Sequence, residues 1–504
     1  MTLWLLGTHL DRTADYLDDH ERILLVESTD FANRRSYHPH KLTQVFAAMR
    51  QFRDDLRDRG FSVDYRQTET FVDALDAHFE QFPGDELTMP RPAAHGAVDR
   101  LQELVDNRGG TLSFVPNPTF MLTPDAFDEW ADARNTTNPD SYRLEQFYRH
   151  RRRQTGLLMD GDEPEGGEWN YDDQNRETPP DEWEPPEPPS YEPDETTRAV
   201  ASWVADEFET FVDVDEAEPF RWPVTREQAL DALDSFVDAR FAQFGAYQDA
   251  MVEGEWALTH SLLSAAINIG LLRPMEVLER AEQAYEEGDA PLNSVEGFVR
   301  QLLGWREFMR HVYRRSPGLA EANQLGQEHS LPPAYWTGET DMVCLSEAVG
   351  HVREHGYAHH IERLMVLSNF ALVYGADPGD LNEWFHQGFV DAFHWVTTPN
   401  VVGMGSFGTD VLSSKPYASS GNYINRMSDY CSSCPYAVSR DTGEGACPFN
   451  SLYWTFLEEN EELLRGTGRM GLMYSHVDDK DEEEWEALEE RAEQVRELAK
   501  AGEL

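Results

Sequence analysis

Four cysteines carry the plainest chemistry in this chain. Three fall in one short stretch, Cys431-Ser-Ser-Cys434 and Cys447-Pro448, and the fourth, Cys344, lies far upstream. Thiolates are soft ligands, and four of them satisfy either a structural zinc ion or an iron–sulfur cluster. The N-terminus, Met1-Thr-Leu-Trp-Leu-Leu-Gly7, has neither the basic head nor the long apolar stretch of a signal peptide. The expected setting is cytoplasmic, where thiols in a large chain serve as metal ligands more often than as disulfides. Four inert buried cysteines is the competing reading, and the Cys-x-x-Cys spacing speaks against it. A cysteine followed by proline recurs in iron–sulfur runs, which leans toward a cluster over zinc.

Two further groups could do chemistry. His359-His360 is an adjacent histidine pair. On a helix, neighbours point about 100° apart, so both need not face one pocket, and a lone buried histidine is usually a satisfied core residue. Phe147-Tyr-Arg-His-Arg-Arg-Arg153 is the densest basic run of the chain. It suits a phosphate backbone, and it equally suits a solvated helix pairing with nearby acids.

The elements that must position these residues lie in a chain of 504 residues, long enough for two or more domains. The formal net charge is −52, and the lysines are only Lys41, Lys415, Lys480 and Lys500. Such charge repels itself strongly at low salt and is screened at molar salt, where the Debye length is about 3 Å. A halophilic cytoplasm is the natural setting. An acidic disordered protein is excluded by 40% hydrophobic and 12% aromatic content. No apolar run is long enough to span a bilayer. Any nucleic-acid site must be a local basic or aromatic patch.

Residues 1–135 read as α/β. Leu3–Leu6, Ile23–Val26 and Ser62–Tyr65 have the apolar character of buried parallel strands, with Glu86–Met89 and Leu112–Val115 as weaker candidates. Lys41–Leu56 has helical periodicity between them. A doubly wound, Rossmann-like sheet is expected. Its ligands sit at the carboxyl ends of strands, which marks Gly7–Leu10 and Glu27–Arg35 as pocket loops or as plain connections. Residues 136–197 form an interdomain linker, rich in Pro, Glu and Asp after 171 and extended rather than packed. Residues 198–475 read almost wholly as helix, including Glu227–Phe244, Ser261–Leu272 and the apolar stripe of Ser294–Tyr313. Residues 476–504 read as an acidic, solvent-facing helix with no chemistry of its own.

Several long motifs resemble the photolyase–cryptochrome superfamily, and more narrowly its prokaryotic iron–sulfur branch of (6-4) photolyases. They are Phe244-Gly-Ala-Tyr-Gln-Asp-Ala-Met251, His260-Ser-Leu-Leu-Ser264, Pro291-Leu-Asn-Ser-Val-Glu-Gly-Phe-Val-Arg300, Gly304-Trp-Arg-Glu-Phe308, Tyr335-Trp-Thr-Gly338, Tyr357-Ala-His-His-Ile-Glu-Arg-Leu-Met365 and Lys415-Pro-Tyr-Ala-Ser-Ser-Gly-Asn-Tyr423, which continues to Cys431. Arg152–Met159 and Gly166–Asn170 match in the first half. The resemblance covers nearly the whole chain. It implies an α/β antenna domain, an all-α FAD domain and a [4Fe–4S] cluster on Cys344, Cys431, Cys434 and Cys447.

The resemblance also implies roles. Ser261 and Ser264, one helical turn apart, suit the FAD diphosphate. Asn293, Glu296, Arg300 and Trp305 should line the isoalloxazine and adenine, and Asp391 the pyrimidine edge of the flavin. His360 is the implied proton donor to the lesion, with His359 as its supporter; a pKa near neutrality suits that work. Trp384 and Trp336 match the aromatic relay that reduces the flavin. Tyr417 and Tyr423 are placed against the lesion or beside the cluster, with Lys415 and Arg152 toward the DNA.

Three departures stand out. Phe385 follows Trp384 where the family usually has tyrosine, and it has no phenolic proton to lose. Thr397 stands opposite flavin N5 where an acid is usual, which bears on the stability of the one-electron-reduced flavin. Gly7-Thr-His-Leu10 replaces the usual Gly-Asp-Gln-Leu, and Phe31 replaces an acid, so the antenna is a ribityl-lumazine, a deazaflavin or none. The implied function is light-driven repair of (6-4) photoproducts in UV-damaged DNA by a monomer. The alternatives are a cryptochrome-type photoreceptor and a light-independent nucleic-acid-binding module like the primase large subunit.

Overall fold

The structure is a computed structural model and describes residues 1–134, 143–180, 182–467 and 470–504. Its first part is a five-stranded parallel sheet of order β3-β2-β1-β4-β5. The strands are β1 (Thr2–Leu5), β2 (Arg22–Ser28), β3 (Ser62–Thr68), β4 (Glu86–Pro90) and β5 (Thr111–Val115). All five segments read as strands are strands, but β3, expected to be buried, is a half-exposed edge strand covered by a neighbour on one side only. β1 and β2 are buried on both faces, as parallel strands covered by helices must be. Leu3 pairs with Ile23 on one side and Thr88 on the other. The strand order reverses between β1 and β4, so the loop after β1 opens at the switch point.

The helix expected at Lys41–Leu56 runs Pro39–Asp58. Proline at its first turn needs no partner for a missing N–H, and His38 Nδ1 accepts from His40 N at 3.2 Å. Its apolar face joins one side of the sheet to the helical part in a single core: Leu3, Leu5, Ile23 and Phe46 share it with Phe236, Ile267 and Phe298. The other sheet face packs Trp4, Leu24 and Met89 under the helices Phe71–Gln81 and Ala97–Asp106.

The rest is almost wholly helical. The expected 135/136 boundary lies outside the described residues. The linker is less extended than its composition implies. Within residues 136–197 lies the helix Leu144–Thr155, Asn175 is buried, the Tyr191 hydroxyl donates to Asp231 at 3.0 Å, and helix resumes at Glu195. Prolines prevent regular hydrogen bonding there, yet aromatic and amide side chains still anchor the strand of chain. The helix expected over Glu227–Phe244 breaks at Arg240 into Arg226–Ala239 and Phe241–Tyr247. The last helix, Glu482–Ala501, is not solvent-facing all round: Leu488, Arg491, Ala492, Val495 and Ala499 are buried. Three π-helical stretches interrupt the rods, at Arg300–Arg306, Glu362–Ser368 and Pro399–Gly405. Such wide turns concentrate at functional sites, and here each adjoins residues singled out above. Among the described residues no helix is long and apolar enough to cross a membrane.

Candidate active site

The chain brings three histidines together, one more than the sequence singled out. His260 and His359 stack in parallel, ring centroids 4.8 Å apart at 5°, and His360 meets His260 edge-on at 5.2 Å. His260 stands beside Ser261 in the segment His260–Ser264, and nothing in its local sequence beyond that place marks it as a third member. His359 is fully buried; His360 is 46% exposed, with Nε2 3.1 Å from Asp249 Oδ1. Arg176 approaches the other oxygen of Asp249 at 4.0 Å. Burial pushes the His359 imidazole down to about 4, only partly offset by the Glu362 carboxylate. Burial, then His359 and His360, push His260 well below the usual range. Both inner rings are therefore neutral near pH 7. Burial raises the Asp249 carboxyl, but the hydrogen bond and charge of His360 outweigh it and leave Asp249 below its ordinary value. His360 is the member of the group that pairs with a carboxylate and also opens to solvent.

A second constellation lies on the neighbouring elements. Asp391 receives both terminal nitrogens of Arg363, at 3.0 and 3.1 Å, and the Ser264 hydroxyl at 2.7 Å. Asn268 donates to the Asp391 carbonyl at 3.0 Å. A bidentate guanidinium–carboxylate pair fixes orientation as well as charge. Arg363 was not singled out, although it lies four residues after His359. Ser261 and Ser264 are not one helical turn apart. The helix starts at Ser264, and Ser261 lies on a loop with Leu258 and Leu262 at left-handed φ of 41° and 59°. Leucine adopts that region only under tertiary constraint. Arg240 pins the loop, donating to the His260 carbonyl at 2.9 Å.

The helix Leu292–Val299 and its π-helical continuation turn Asn293, Glu296 and Arg300 toward residues 171–175. Asn293 and Asn175 exchange amide hydrogen bonds at 3.0 and 3.2 Å. Glu296 is buried, accepts from Tyr171 N at 3.2 Å and Arg300 Nε at 3.1 Å, and is raised by its burial. Arg300 also pairs with Asp172. Trp305 donates instead to Asn400 at 2.8 Å. Thr397 is buried on the short helix His394–Thr398, just before the third π-helical stretch.

The aromatic path is continuous. Trp336 is 40% exposed and Trp384 is fully buried. Phe211 stands between them, 5.8 Å from one and 6.0 Å from the other. Phe385 lies 5.3 Å from Trp384 and stacks on Phe389 at 4.8 Å, and the Arg363 guanidinium lies 4.3 Å over Phe389. The path thus runs from solvent to the Arg363–Asp391 pair.

The four cysteines, from helix Val343–His355, from the short helix Tyr430–Ser433 and the residue after it, and from the N-cap of helix Pro448–Glu459, line one pocket together with Met342, Ile424 and Phe449. A Cβ on Gly421 would come within 2.7 Å of Cys447 Sγ, so glycine is required there. Burial pushes these thiols up, to about 11 at Cys431, to about 12 at Cys447, and well above the ordinary value at Cys344. Among the described residues no three His, Cys, Asp or Glu side chains converge on a single-ion site. Arg491 of the last helix donates to the Ala446 carbonyl at 3.3 Å, beside Cys447.

Of the residues expected at DNA, Tyr417 is 37% exposed and Lys415 exposed. Tyr423 is partly buried under Arg426, 5.3 Å from its ring, and is pushed up to about 12 by burial and then by Asp249, its neighbour in the histidine site. Arg152 does not fit the expectation. It is fully buried, with its guanidinium on the carbonyls of Leu157, Leu158 and Trp169. The basic run is amphipathic, and Arg152 falls on its inner face. In the sheet domain, Leu10 N donates to the Ile269 carbonyl at 3.0 Å across the domain contact, and Gly270, at φ 92°, leaves room for it. Glu27 is occupied by Arg50, Tyr65 and Gln67, while Phe31 is 50% exposed.

Residues 3–222 match the family described as deoxyribodipyrimidine photo-lyase-related protein. A (6-4) photolyase of Agrobacterium fabrum is 38% identical over 483 residues, 94% of each chain. The chain belongs to the photolyase family, on its bacterial (6-4) branch. Solved structures share the fold at low identity. A bacterial class III photolyase from Agrobacterium tumefaciens has a TM-score of 0.60 at 15% identity, covering 99% of this chain and 96% of its own. An archaeal photolyase from Sulfolobus tokodaii, solved with two FAD molecules, has 0.55 at 13%, covering 99% and 100%. A cryptochrome from Synechocystis has 0.57 at 13%, covering 85% and 88%.

Proposed function

We propose that this photolyase-family chain repairs (6-4) pyrimidine–pyrimidone photoproducts in DNA, using light absorbed by FAD and a proton held at His360. The observation that carries the reading is the histidine group: a half-exposed His360 paired with Asp249, backed by two buried neutral rings, with Tyr423 beside it. The 38% identity to a (6-4) photolyase supports it.

The residues fit a flavin. Buried polar atoms without partners cluster near the loop that carries Ser261: Arg240 Nε and Nη2, Gln248 Oε1, Thr259 Oγ1 and His260 Nε2. Unpaired buried polar atoms are costly and mark a missing partner. Ser261 and Ser264 would hold the diphosphate, and the Arg363–Asp391 pair would face the polar edge of the ring system. FAD when bound supplies blue-light absorption and an electron that leaves and returns. The chain does the rest. Trp384 and Trp336 carry reducing equivalents inward, with Phe211 and Phe385 as spacers. Tyr417 and Tyr423 stack against a lesion turned out of the duplex, where repair enzymes must take their target. His360 Nε2 offers the proton to the lesion, Asp249 orients that ring, and the stack of His359 and His260 closes the pocket to water. The net redox change is zero.

The cysteines fit a [4Fe–4S] cluster. Four sulfurs around a cavity suit a body of several atoms, whereas zinc draws its ligands to one point at about 2.3 Å. Thiols as buried as Cys344 and Cys447 become thiolates only with a metal to bind them. An antenna chromophore, if carried, belongs at the β1–β4 switch point.

Illuminating the purified chain with defined (6-4) and cyclobutane lesions tests the reading. Restoration of the (6-4) lesion is expected. A chain that binds FAD, photoreduces and repairs neither lesion is a photoreceptor; one without flavin absorbance is neither.

A further inference from the structure

Glu362 is a fully buried carboxylate at the start of a π-helical stretch, and its two oxygens face different sites. Oε1 takes the Tyr430 hydroxyl at 2.9 Å and lies 3.0 Å from His351 Nδ1. Oε2 takes the His359 backbone N–H at 3.3 Å and lies 3.5 Å from its Nε2. Both partners of Oε1 stand on cysteine-bearing elements. His351 lies on the helix that begins beside Cys344, and Tyr430 directly precedes Cys431. A buried carboxylate is tolerated only when its lone pairs are filled and its charge answered. Here the partners that fill them come from the metal side, while the other oxygen orients the lesion side.

We propose that Glu362 is a positioning residue for repair: gripped through Tyr430 and His351 by the cysteine-bearing elements, it fixes the ring of His359 behind His360. The cluster region thus does more than close the chain end onto its middle; its assembly sets the geometry of the proton-donating pair. This rests on the repair reading above. The titratable and charged groups facing His359 are Glu362, Asp249, His360, His351 and Arg363, with His260 stacked on its face. Two carboxylates favour a charged imidazole here, Asp249 from the solvent side at His360 and Glu362 from the buried side at His359, so removing Glu362 takes away the carboxylate that holds the inner ring.

The test uses the full chain loaded with iron and FAD, as wild type, Glu362→Gln and Tyr430→Phe. Iron, FAD and lesion-DNA affinity should be retained in both variants. Repair per absorbed photon should fall about 10–100-fold in Glu362→Gln, the loss expected when a reacting pair is slightly misplaced, and by less in Tyr430→Phe. The fall of repair with rising pH should move to lower pH in Glu362→Gln, because a buried negative charge behind the histidine group has been removed. Ring-nitrogen NMR shifts of labelled histidine, assigned against a His359→Gln sample, should move with it. Unchanged shifts and an unchanged pH profile in Glu362→Gln overturn the proposal whatever its yield. If that variant does not fold, a Tyr430→Phe chain with wild-type yield and shifts overturns it. A wild type that repairs neither lesion sinks the repair reading alone, and the NMR shifts still decide whether the carboxylate holds His359.

Discussion

At the scale of single residues, the chemistry turns on which imidazole can carry a proton. His360→Ala should abolish (6-4) repair while FAD content and photoreduction hardly change, since the ring is asked for a proton and not for cofactor binding. General acid catalysis is worth about 10²–10⁴-fold, enough to make repair undetectable in a product assay. Wild-type repair by that variant would reduce His360 to a pocket wall. Phe385 offers the opposite test. A tyrosine there would lie against Trp384 and Phe389 and add a ring that can lose a phenolic proton. Phe385→Tyr should speed photoreduction by external donors, read from the decay of oxidised-flavin absorbance under blue light; an unchanged rate would show that Trp384 already limits it. Arg152→Glu should lower the melting temperature strongly, because it buries a carboxylate against three carbonyl oxygens. A fully folded variant whose affinity for DNA alone has dropped would return Arg152 to the interface.

At the scale of elements, the last helix and the cysteine loop are tied together. Arg491 ties the helix Glu482–Ala501 to the carbonyl before Cys447, and Tyr430 ties Cys431 to the lesion side. Cys434→Ala should therefore cost the iron, the broad blue-violet absorbance and much of the fold, since metal binding in such a site is also folding free energy. Stoichiometric zinc without iron in anaerobically prepared protein would overturn the cluster. The three π-helical stretches show why helical periodicity alone misplaces this site. A wide turn shifts every later side chain around the rod, so the stripe read through Ser294–Tyr313 sends Glu296 and Arg300 to Tyr171 and Asp172 but Trp305 to Asn400.

At the scale of the whole molecule, buried histidines set the response to acid. His40, His359 and His394 are held near 4, and His9 and His355 near 3, with burial as the leading cause in each. Their unfolded value is about 6.5. Between about pH 6.5 and 4 the unfolded chain takes up protons that the folded chain refuses, so stability falls as pH falls through that window. His351, raised by Glu362 despite its burial, works the other way but is one ring against many. The melting temperature at constant salt should drop steeply from pH 6.5 toward 4; a flat profile would mean these rings are hydrated in solution. Salt acts through the net charge of −52. Dilution from molar to about 0.1 M salt lengthens the Debye length from about 3 to 10 Å and should lower the melting temperature further.

The sequence by itself determined the strands, the class of fold and the four thiols. Runs such as Leu3–Leu6 and Ile23–Val26 are local statements about burial, and Cys-x-x-Cys is a local statement about ligands; neither needs a partner elsewhere to be legible. Family resemblance carried the histidine pair and the relay. Only the tertiary structure decided what distant residues do to one another. It joined His260 to His359, Arg363 to Asp391 and Tyr430 to Glu362, and it turned Arg152 inward. Those outcomes depend on loop paths and wide helical turns, and on which face of an amphipathic run meets the core. Composition and spacing leave such faces open, because a polar side chain buried against carbonyls and one bathed in solvent are written with the same letter.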